Sequence, residues 1–225
     1  HLPYHDLPVL KAAIKHLQKE NIDVLLLNGD IFDFYKCSRY QQIPNKPSLK
    51  AELEMGRVFL RQLRQLFPTQ KILFKDGNHE NRLENYIINQ APALYGVESL
   101  TLSQLLEFND LNIIHIKSHQ LIQAGNLSIL HGHEINAGGV NLARSIYMKV
   151  GCSALVAHNH KTSEVRFKTV QGNWHEVYTI GCLCDLYPDY AIFNQMNNGF
   201  AVVKVSLDGT FKVDNLRVDG GVVVR

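Results

Sequence analysis

The order of apolar and polar positions predicts alternating helices and strands over the first two thirds of the chain. Apolar residues recur at helical spacing over 9–17, which predicts a helix at 8–20. The apolar run of Ile22 and 24–27 is too short for a buried helix and too continuous for a half-exposed strand, so it is predicted to be a central parallel strand. Similar patterns predict helices at 48–67 and 140–150, and strands at 71–75, 127–130 and 153–157. This β-α-β order is typical of the α/β class.

In the C-terminal third the period changes to alternation, which predicts antiparallel strands. Residues 163–179 alternate between apolar and charged positions around a polar turn at 171–173, a pattern typical of a hairpin. A second hairpin is predicted over 200–218, around an Asp-Gly turn. Residues 85–112 are predicted to be helical at most, with a proline interrupting them. The sequence contains no repeat or linker, so we expect one domain over residues 1–225.

Four of the predicted strands end in polar groups that can bind metal. These groups are GDIFD at 29–33, GNHE at 77–80, HGH at 131–133 and HNH at 158–160. Because ligands bind at the carboxyl ends of parallel strands in open α/β sheets, we expect all four groups at one edge of a sheet.

The types of side chain in these groups indicate a metal centre. Imidazole and carboxylate together suit Zn, Fe or Mn, and there are more candidate ligands than one tetrahedral ion requires, so two ions are expected. Asp30 is the expected bridge, since a single carboxylate can give one oxygen to each ion. Two neighbouring ions promote in-line displacement at phosphorus, so the sequence predicts hydrolysis of phosphate esters.

The motifs resemble those of the calcineurin-like metallophosphoesterases, whose pattern is D-x-H, G-D-x-x-D, G-N-H-[E/D], H and G-H-x-H. His1 matches the last letter of the first motif, and GDIFD, GNHE, HGH and AHNH at 157–160 follow in the same order. The resemblance implies a sandwich of two mixed β-sheets flanked by helices, with β-α-β units followed by antiparallel hairpins. It also implies two divalent ions as cofactors, with Mn²⁺ expected first and Fe, Zn or Ni as alternatives.

The resemblance further implies a role for each motif residue. The implied ligands are His1, Asp30 and His160 for one ion, and Asp30, Asn78, His131 and His158 for the other. His79 is not a ligand in that family; it stabilises the transition state and protonates the leaving oxygen, while Asp33 orients its imidazole. A hydroxide that bridges the ions is the implied nucleophile, and cations lower the pKa of bound water enough for it to exist at neutral pH.

Two positions depart from the family pattern. The first family motif begins with an aspartate two positions before its histidine, and this sequence starts at His1. We therefore expect the natural chain to continue upstream with an apolar strand that carries this aspartate. Ala157 replaces the glycine of the last motif, which adds only a methyl group.

The positions that bind the phosphoryl group in Ser/Thr protein phosphatases of this superfamily differ here. Those enzymes have arginines directly after GDxxD and directly before GNHE, where this sequence has Phe34 and Asp76. Without these cations a dianionic monoester depends on the metals alone, so we favour phosphodiester or nucleotide substrates, nuclease substrates among them. The alternatives are a phosphomonoesterase or protein phosphatase of the same superfamily, and a non-catalytic scaffold with this fold.

Several other polar residues have two interpretations. Arg82 could bind the substrate phosphate or form a surface salt bridge. His133 and Glu80 could contact substrate or water, or could support the ligands beside them. The three arginines within 57–64 form a stripe on one helix, for which a solvated face is favoured over a nucleic-acid patch.

The composition of the chain indicates which classes of binding partner are expected. The 225 residues include 23 Lys plus Arg and 21 Asp plus Glu, so the net charge of +2 does not indicate binding to nucleic acid, which remains open through a local patch. No apolar run approaches the roughly 20 residues that span a bilayer, so no membrane partner is expected. With four cysteines in a chain of this length, a disulfide framework is not expected, and we predict that Cys182 and Cys184 are buried thiols. Free thiols are typical of a reducing compartment, so we expect a cytoplasmic location. The sequence does not indicate an oligomeric state.

Overall fold

The computed structural model describes residues 1–40, 44–187 and 194–224, which group into two compact units. The first unit contains His1–Tyr4 and Glu20–Ser118, and the second contains His5–Lys19 and His119–Arg225. Several sheets and helices are present, so the predicted α/β class is confirmed. Each described helix is too short or too polar to span a bilayer.

The helices lie close to the predicted positions. They are α1 (Leu7–Lys19), α2 (Leu49–Leu66), α3 (Glu80–Gln90), α4 (Leu102–Leu105) and α5 (Leu142–Val150), with short 3-10 turns at Tyr35–Cys37, Pro92–Leu94 and Glu98–Leu100. Ser48 begins α2, because its Oγ accepts a hydrogen bond from the N–H of Ala51 at 3.2 Å. Helix α3 ends at Gln90, because a residue directly before a proline, here Ala91, disfavours helical backbone.

The first unit is built on a parallel sheet of three strands. These are β1 (Val24–Asn28), β2 (Lys71–Lys75) and β3 (Ile113–Ile116), paired in that order. Asn28 and Lys75 are partners in the register, so the residues that follow β1 and β2 leave the sheet at the same edge. The ring of Phe32 packs against Phe34 and Phe74, with centroids 5.1 and 6.2 Å apart. These buried rings fix the loop after β1 to the core of the unit.

The second unit contains two sheets. The larger one is mixed and has the order β4-β5-β6-β8-β7, and the smaller one is antiparallel with the order β11-β10-β9. The strands are β4 (Ile122–Ala124), β5 (Leu127–Leu130), β6 (Ala154–Val156), β7 (Ser163–Lys168), β8 (Trp174–Thr179), β9 (Gly199–Val205), β10 (Phe211–Asp219) and β11 (Val222–Val224). Ile146 of α5 packs against the larger sheet, and Val9 of α1 packs against the smaller one. Both predicted hairpins are confirmed, as β7–β8 and β9–β10.

The four strands that end in metal-binding groups lie in two different sheets, which corrects the prediction of one sheet edge. β1 and β2 are parallel neighbours in the first unit, and β5 and β6 are parallel neighbours in the second. Each unit therefore brings two of the four motifs together. The described residues form three sheets where two were expected, because β9, β10 and β11 are joined by short turns and pair with one another.

The arginines of α2 are partly solvated, as favoured, and each also binds a neighbouring group of the first unit. Arg57 donates to the carbonyl of Leu105 at 3.0 Å, and Arg61 pairs with the carboxylate of Glu107. Arg64 donates to four backbone carbonyls. Several of these bonds attach α4 and the chain after it to α2, so the stripe has a structural role.

Candidate metal centre

The first residues of the chain lie beside the loop that follows β1. The N–H of Leu2 donates to the carbonyl of Ile31 at 2.6 Å, and the N–H of Asp33 donates to the carbonyl of Leu2 at 2.9 Å. Asp30 has a positive φ of 55°, which turns the chain sharply directly after the strand. These contacts place the side chain of His1 next to the carboxylates of the loop.

Glu80 joins the loop after β1 to the loop after β2. Its carboxylate is buried and accepts from the N–H groups of Asp30, Phe32 and Gly77 at 2.8, 3.0 and 2.8 Å. Burial, and next to it the charge of Asp30, raise the pKa of Glu80 to about 7. Because its oxygens are engaged by backbone donors, Glu80 supports the ligands, and this decides between the two interpretations of that residue.

Glu52 of α2 has a similar role that the sequence analysis did not identify. Its Oε1 accepts from the N–H groups of Asp33 and Phe34 at 2.8 and 2.6 Å. Burial raises the pKa of Glu52 to about 7. The available signal was its position beside Leu53 on the apolar face of the helix, where an unpaired carboxylate would be costly.

Gly77 allows the two loops to approach closely. A Cβ atom at this position would lie 2.2 Å from Oδ1 of Asp30, so any larger residue would displace that carboxylate. The same Oδ1 accepts from the N–H of His79 at 3.0 Å. Asn78, between them, has a buried side-chain oxygen with no hydrogen-bond partner among the described residues. Such an oxygen fits a metal ligand, because a buried polar atom is otherwise expected to have a hydrogen-bond partner.

The side chains around these loops form what we call the carboxylate–histidine cluster: His1, Asp30, Asp33, Asn78 and His79. Nε2 of His1 lies 3.8 Å from Oδ2 of Asp30, and Nε2 of His79 lies 3.9 Å from the same oxygen. One ligand atom from each of His1, Asp33 and His79 lies within 4.8 Å of the others. The first unit therefore brings together the five predicted site residues of its own motifs.

Asp33 and Arg82 both contact the ring of His79. Nδ1 of His79 lies 3.0 Å from the carbonyl oxygen of Asp33 and 3.1 Å from its Oδ1. Both oxygens only accept, so Nδ1 carries a proton. The guanidinium of Arg82 donates to the carbonyl of Asp33 at 2.8 Å and lies 3.1 Å from Nε2 of His79. Because a guanidinium only donates, Nε2 is the acceptor in this arrangement.

The second unit brings together three of the histidines that follow β5 and β6, which we call the histidine cluster: His131, His133 and His158. The ring centroids of His131 and His158 are 5.2 Å apart, and His133 lies 5.4 Å from His131 and 6.2 Å from His158. Gly132 permits this approach, because a Cβ there would lie 2.5 Å from Val156 and 3.0 Å from Cβ of His158. His158 and His160 both have positive φ, 55° and 53°, which is uncommon for residues other than glycine and typical of functional loops.

The thiols of Cys182 and Cys184 are buried and free, as predicted. A hydrogen bond with Cys184, together with the nearby imidazole of His160, lowers the pKa of Cys182. The same hydrogen bond, with burial, raises the pKa of Cys184. His160 therefore lies beside a thiol pair as well as in the last histidine motif.

The two positions that carry arginine in the protein phosphatases are occupied differently here. Phe34 is fully buried with φ 47° and stacks on Phe32, so this position faces the core. Asp76 is also buried, and it pairs with Nε2 of His115 at 2.6 Å and with Nζ of Lys117 at 3.6 Å. Neither position offers a cation to a phosphoryl group.

Comparison with known proteins agrees with these motifs. The Gene 54 protein of Mycobacterium phage L5 is 28% identical over 172 residues, which cover 71% of this chain and 66% of that protein. The Gene 54 protein of Mycobacterium phage D29 is 24% identical, with the same coverage. The chain thus spans just under two thirds of the length of these relatives. The family model for calcineurin-like phosphoesterases, a family of metal-dependent hydrolases, matches residues 1–185. Since this match includes every motif described above, the chain belongs to the calcineurin-like phosphoesterase family.

Proposed function

We propose that the protein is a metal-dependent phosphoesterase, with phosphodiesters or nucleotides as its substrates. The observation that carries the proposal is the side-chain oxygen of Asn78, which is buried without a hydrogen-bond partner among the described residues. Asn78 follows Gly77, whose lack of a Cβ allows the carboxylate of Asp30 to lie against the same loop. An amide oxygen and a carboxylate positioned in this way suit a divalent cation better than they suit an empty protein interior.

We assign the ligands as the family resemblance implies. They are His1, Asp30 and His160 for one ion, and Asp30, Asn78, His131 and His158 for the other. Nitrogen and oxygen donors together suit Mn²⁺, Fe, Zn²⁺ or Ni²⁺, and of these we propose Mn²⁺. When bound, such ions would supply an activated water nucleophile and would stabilise negative charge on the phosphoryl oxygens.

His79 is the proposed general acid. Asp33 holds its Nδ1 through the contacts at 3.0 and 3.1 Å, which leaves Nε2 as the atom that can transfer a proton to the leaving oxygen. Arg82 lies 3.1 Å from Nε2, which carries no proton while it accepts from the guanidinium, so Arg82 must release this nitrogen and Nε2 must take up a proton from solvent before the transfer. A substrate phosphate would attract the guanidinium, so we propose that ester binding moves Arg82 from His79 to the phosphate and thereby frees Nε2.

The preference for diesters follows from the two positions without cations. Phe34 is in the core and Asp76 is a carboxylate, so no arginine is available there to bind the additional charge of a monoester. A diester carries one negative charge less and needs fewer cationic contacts. His133, beside His131 and His158, is a second proposed substrate contact.

The first experiment compares bis-p-nitrophenyl phosphate with p-nitrophenyl phosphate in the presence of Mn²⁺. We expect faster release of p-nitrophenolate from the diester. Faster release from the monoester would instead support a phosphomonoesterase, with cations supplied from other positions.

Two variants separate catalysis from metal binding. His79→Ala is expected to keep its metal and to lose about a hundredfold in turnover, because only proton transfer is removed. Asp30→Asn is expected to lose metal itself, measured by elemental analysis of the purified protein. Wild-type protein that binds no metal and hydrolyses neither ester would contradict the proposal and support a scaffold.

A further inference from the structure

A cavity of about 650 Å³ lies in the first unit and shares two residues with the surroundings of the metal ligands. Asn78 and Arg82 form one side of it, and the cavity extends from them along α3 and along the chain that follows Tyr35–Cys37. Its volume is within the range of sites that bind small organic ligands, about 300–1,000 Å³. A group attached to a phosphate beside Asn78 would therefore have space to bind here.

The wall formed by α3 consists of one face of that helix. Arg82, Tyr86 and Asn89 are spaced three or four residues apart, so their side chains lie on the same side. Asn85 and Gln90 lie beside them and add further amide groups. Amide side chains can both donate and accept hydrogen bonds, as the edges of nucleobases do.

A second part of the lining combines an exposed cation with an exposed aromatic ring. The guanidinium of Arg39 lies 5.3 Å from the ring centroid of Tyr40, and 65% of the surface of Tyr40 is exposed. Tyr86, on the α3 wall, is 43% exposed. Exposed aromatic rings offer surfaces on which a base can stack. The described lining residues of the cavity include no acidic side chain, so none of them repels a phosphate.

We propose that this cavity binds the nucleoside part of a phosphodiester substrate, with the base stacked on Tyr40 or Tyr86 and in contact with the guanidinium of Arg39. The inference rests on the proposed phosphodiesterase function and names its substrate class. A lipid would need an apolar wall, whereas this one is mainly amides, guanidinium groups and phenol rings. The nucleoside could belong to a mononucleotide or to a single-stranded nucleic acid, which share this chemistry.

The test uses two diesters with the same leaving group, of which only one contains a nucleoside. They are bis-p-nitrophenyl phosphate and thymidine 5′-(p-nitrophenyl phosphate). The cavity variants are Tyr86→Ala and Arg39→Ala. Their matched controls are Tyr95→Ala, a tyrosine of the same unit that is 59% exposed and is not among the described lining residues, and Lys50→Ala, an exposed cation that pairs with Glu54.

We expect each cavity variant to raise KM for the thymidine ester about tenfold, as loss of one base–aromatic or cation contact should. Values for bis-p-nitrophenyl phosphate should stay within about twofold, and both controls should behave as the wild type. An unchanged KM for the thymidine ester would overturn the inference. An equal loss with both esters would also overturn it, because the variants would then act on the metal centre.

A binding measurement separates failure of this inference from failure of the proposed function. Thymidylate and a fluorescent oligothymidylate are titrated into wild-type and Tyr86→Ala protein in EDTA, where no hydrolysis takes place. Wild-type binding that weakens about tenfold in the variant supports the cavity even if no ester is hydrolysed. Tighter binding of the oligonucleotide than of thymidylate identifies the source as single-stranded nucleic acid, and equal binding identifies a nucleotide. No binding of either ligand, or displacement of the oligonucleotide by a phosphoserine peptide but not by thymidylate, would overturn the inference.

Discussion

Replacing Glu80 tests whether one buried carboxylate holds the two ligand loops together. Its Oε2 accepts from the N–H groups of Asp30 and Gly77, and its Oε1 accepts from that of Phe32. In Glu80→Gln the amide oxygen can keep the two bonds of Oε2, but the NH₂ group then faces the N–H of Phe32 and leaves it without an acceptor. In Glu80→Ala all three donors lose their acceptor.

The magnitude follows from the number of donors left without an acceptor. Each buried donor that loses its partner costs about 1–3 kcal/mol, so Glu80→Gln should lower the free energy of unfolding by that amount. Glu80→Ala should cost roughly three times as much, which approaches the whole stability of a typical domain, about 5–15 kcal/mol. Glu80→Gln is therefore the variant that can be measured, and Glu80→Ala is expected not to fold.

The assay is urea unfolding of the metal-free protein at pH 5. This is below the pKa of Glu80, about 7, so neither the wild type nor Glu80→Gln carries a buried charge at this position, while the wild-type carboxyl oxygens can still accept all three bonds. Glu84→Gln is the matched control, because Glu84 is exposed on the same helix. The reasoning is refuted if Glu80→Gln and Glu84→Gln have the same stability within about 0.5 kcal/mol. We also expect Glu80→Gln to weaken Mn²⁺ binding about tenfold or more in calorimetry, because the loop with Asp30 is less firmly held.

Three further substitutions test other parts of the site. Gly77→Ala should weaken metal binding at least tenfold, because its Cβ would lie 2.2 Å from Oδ1 of Asp30. The control is Gly138→Ala, which has open space around it. Equal metal affinities of the two variants in calorimetry would contradict the close approach of Gly77 to Asp30. Burial raises the pKa of Glu52 from 4.5 to about 7, so the folded state binds its proton more tightly than the unfolded state does. The contribution of this group to the free energy of unfolding therefore falls as pH rises from about 4.5 through about 7, by up to about 3 kcal/mol. Glu52→Gln should remove this contribution in unfolding experiments at pH 5 and pH 8, and an unaltered pH dependence would exclude Glu52 as its source. Phe34→Arg should lower stability by roughly 3 kcal/mol or more without raising hydrolysis of p-nitrophenyl phosphate, because the position is fully buried; a gain in that hydrolysis would show that the residue faces the substrate instead.

The sequence predicted those elements whose pattern is local. The helix expected at 8–20 is Leu7–Lys19, and the strand expected at 71–75 is Lys71–Lys75. The periodicity of apolar residues is sufficient to predict these two elements, because their spacing indicates which face of the element is buried. The short strand Ile113–Ile116 was not predicted, since it lies at the end of a helical region and its four residues carry little periodicity.

The sequence also indicated which residues could bind metal, but not what supports them. Asn78 and His79 were identified from their motif, and the first unit places both beside Asp30. The bonds of Glu52 and Glu80 to the N–H groups of the loop after β1 connect residues 18 to 50 positions apart, and no local pattern specifies such a pair. The same holds for the cavity, where Arg39 and Tyr40 share a lining with residues of α3 that lie more than 40 positions away in the sequence.

The sequence by itself determined the order and the chemistry of the motifs, because side-chain type and the end of a strand are local properties. It therefore indicated the family, the metal-binding residue types and the lack of arginine at Phe34 and Asp76. Only the tertiary structure decided which strands pair, and so which motifs meet: β1 with β2 in one unit, and β5 with β6 in the other. Strand pairing joins residues distant in sequence through backbone hydrogen bonds that are available to every residue except proline, and for this reason the sequence pattern alone leaves the choice of partner open.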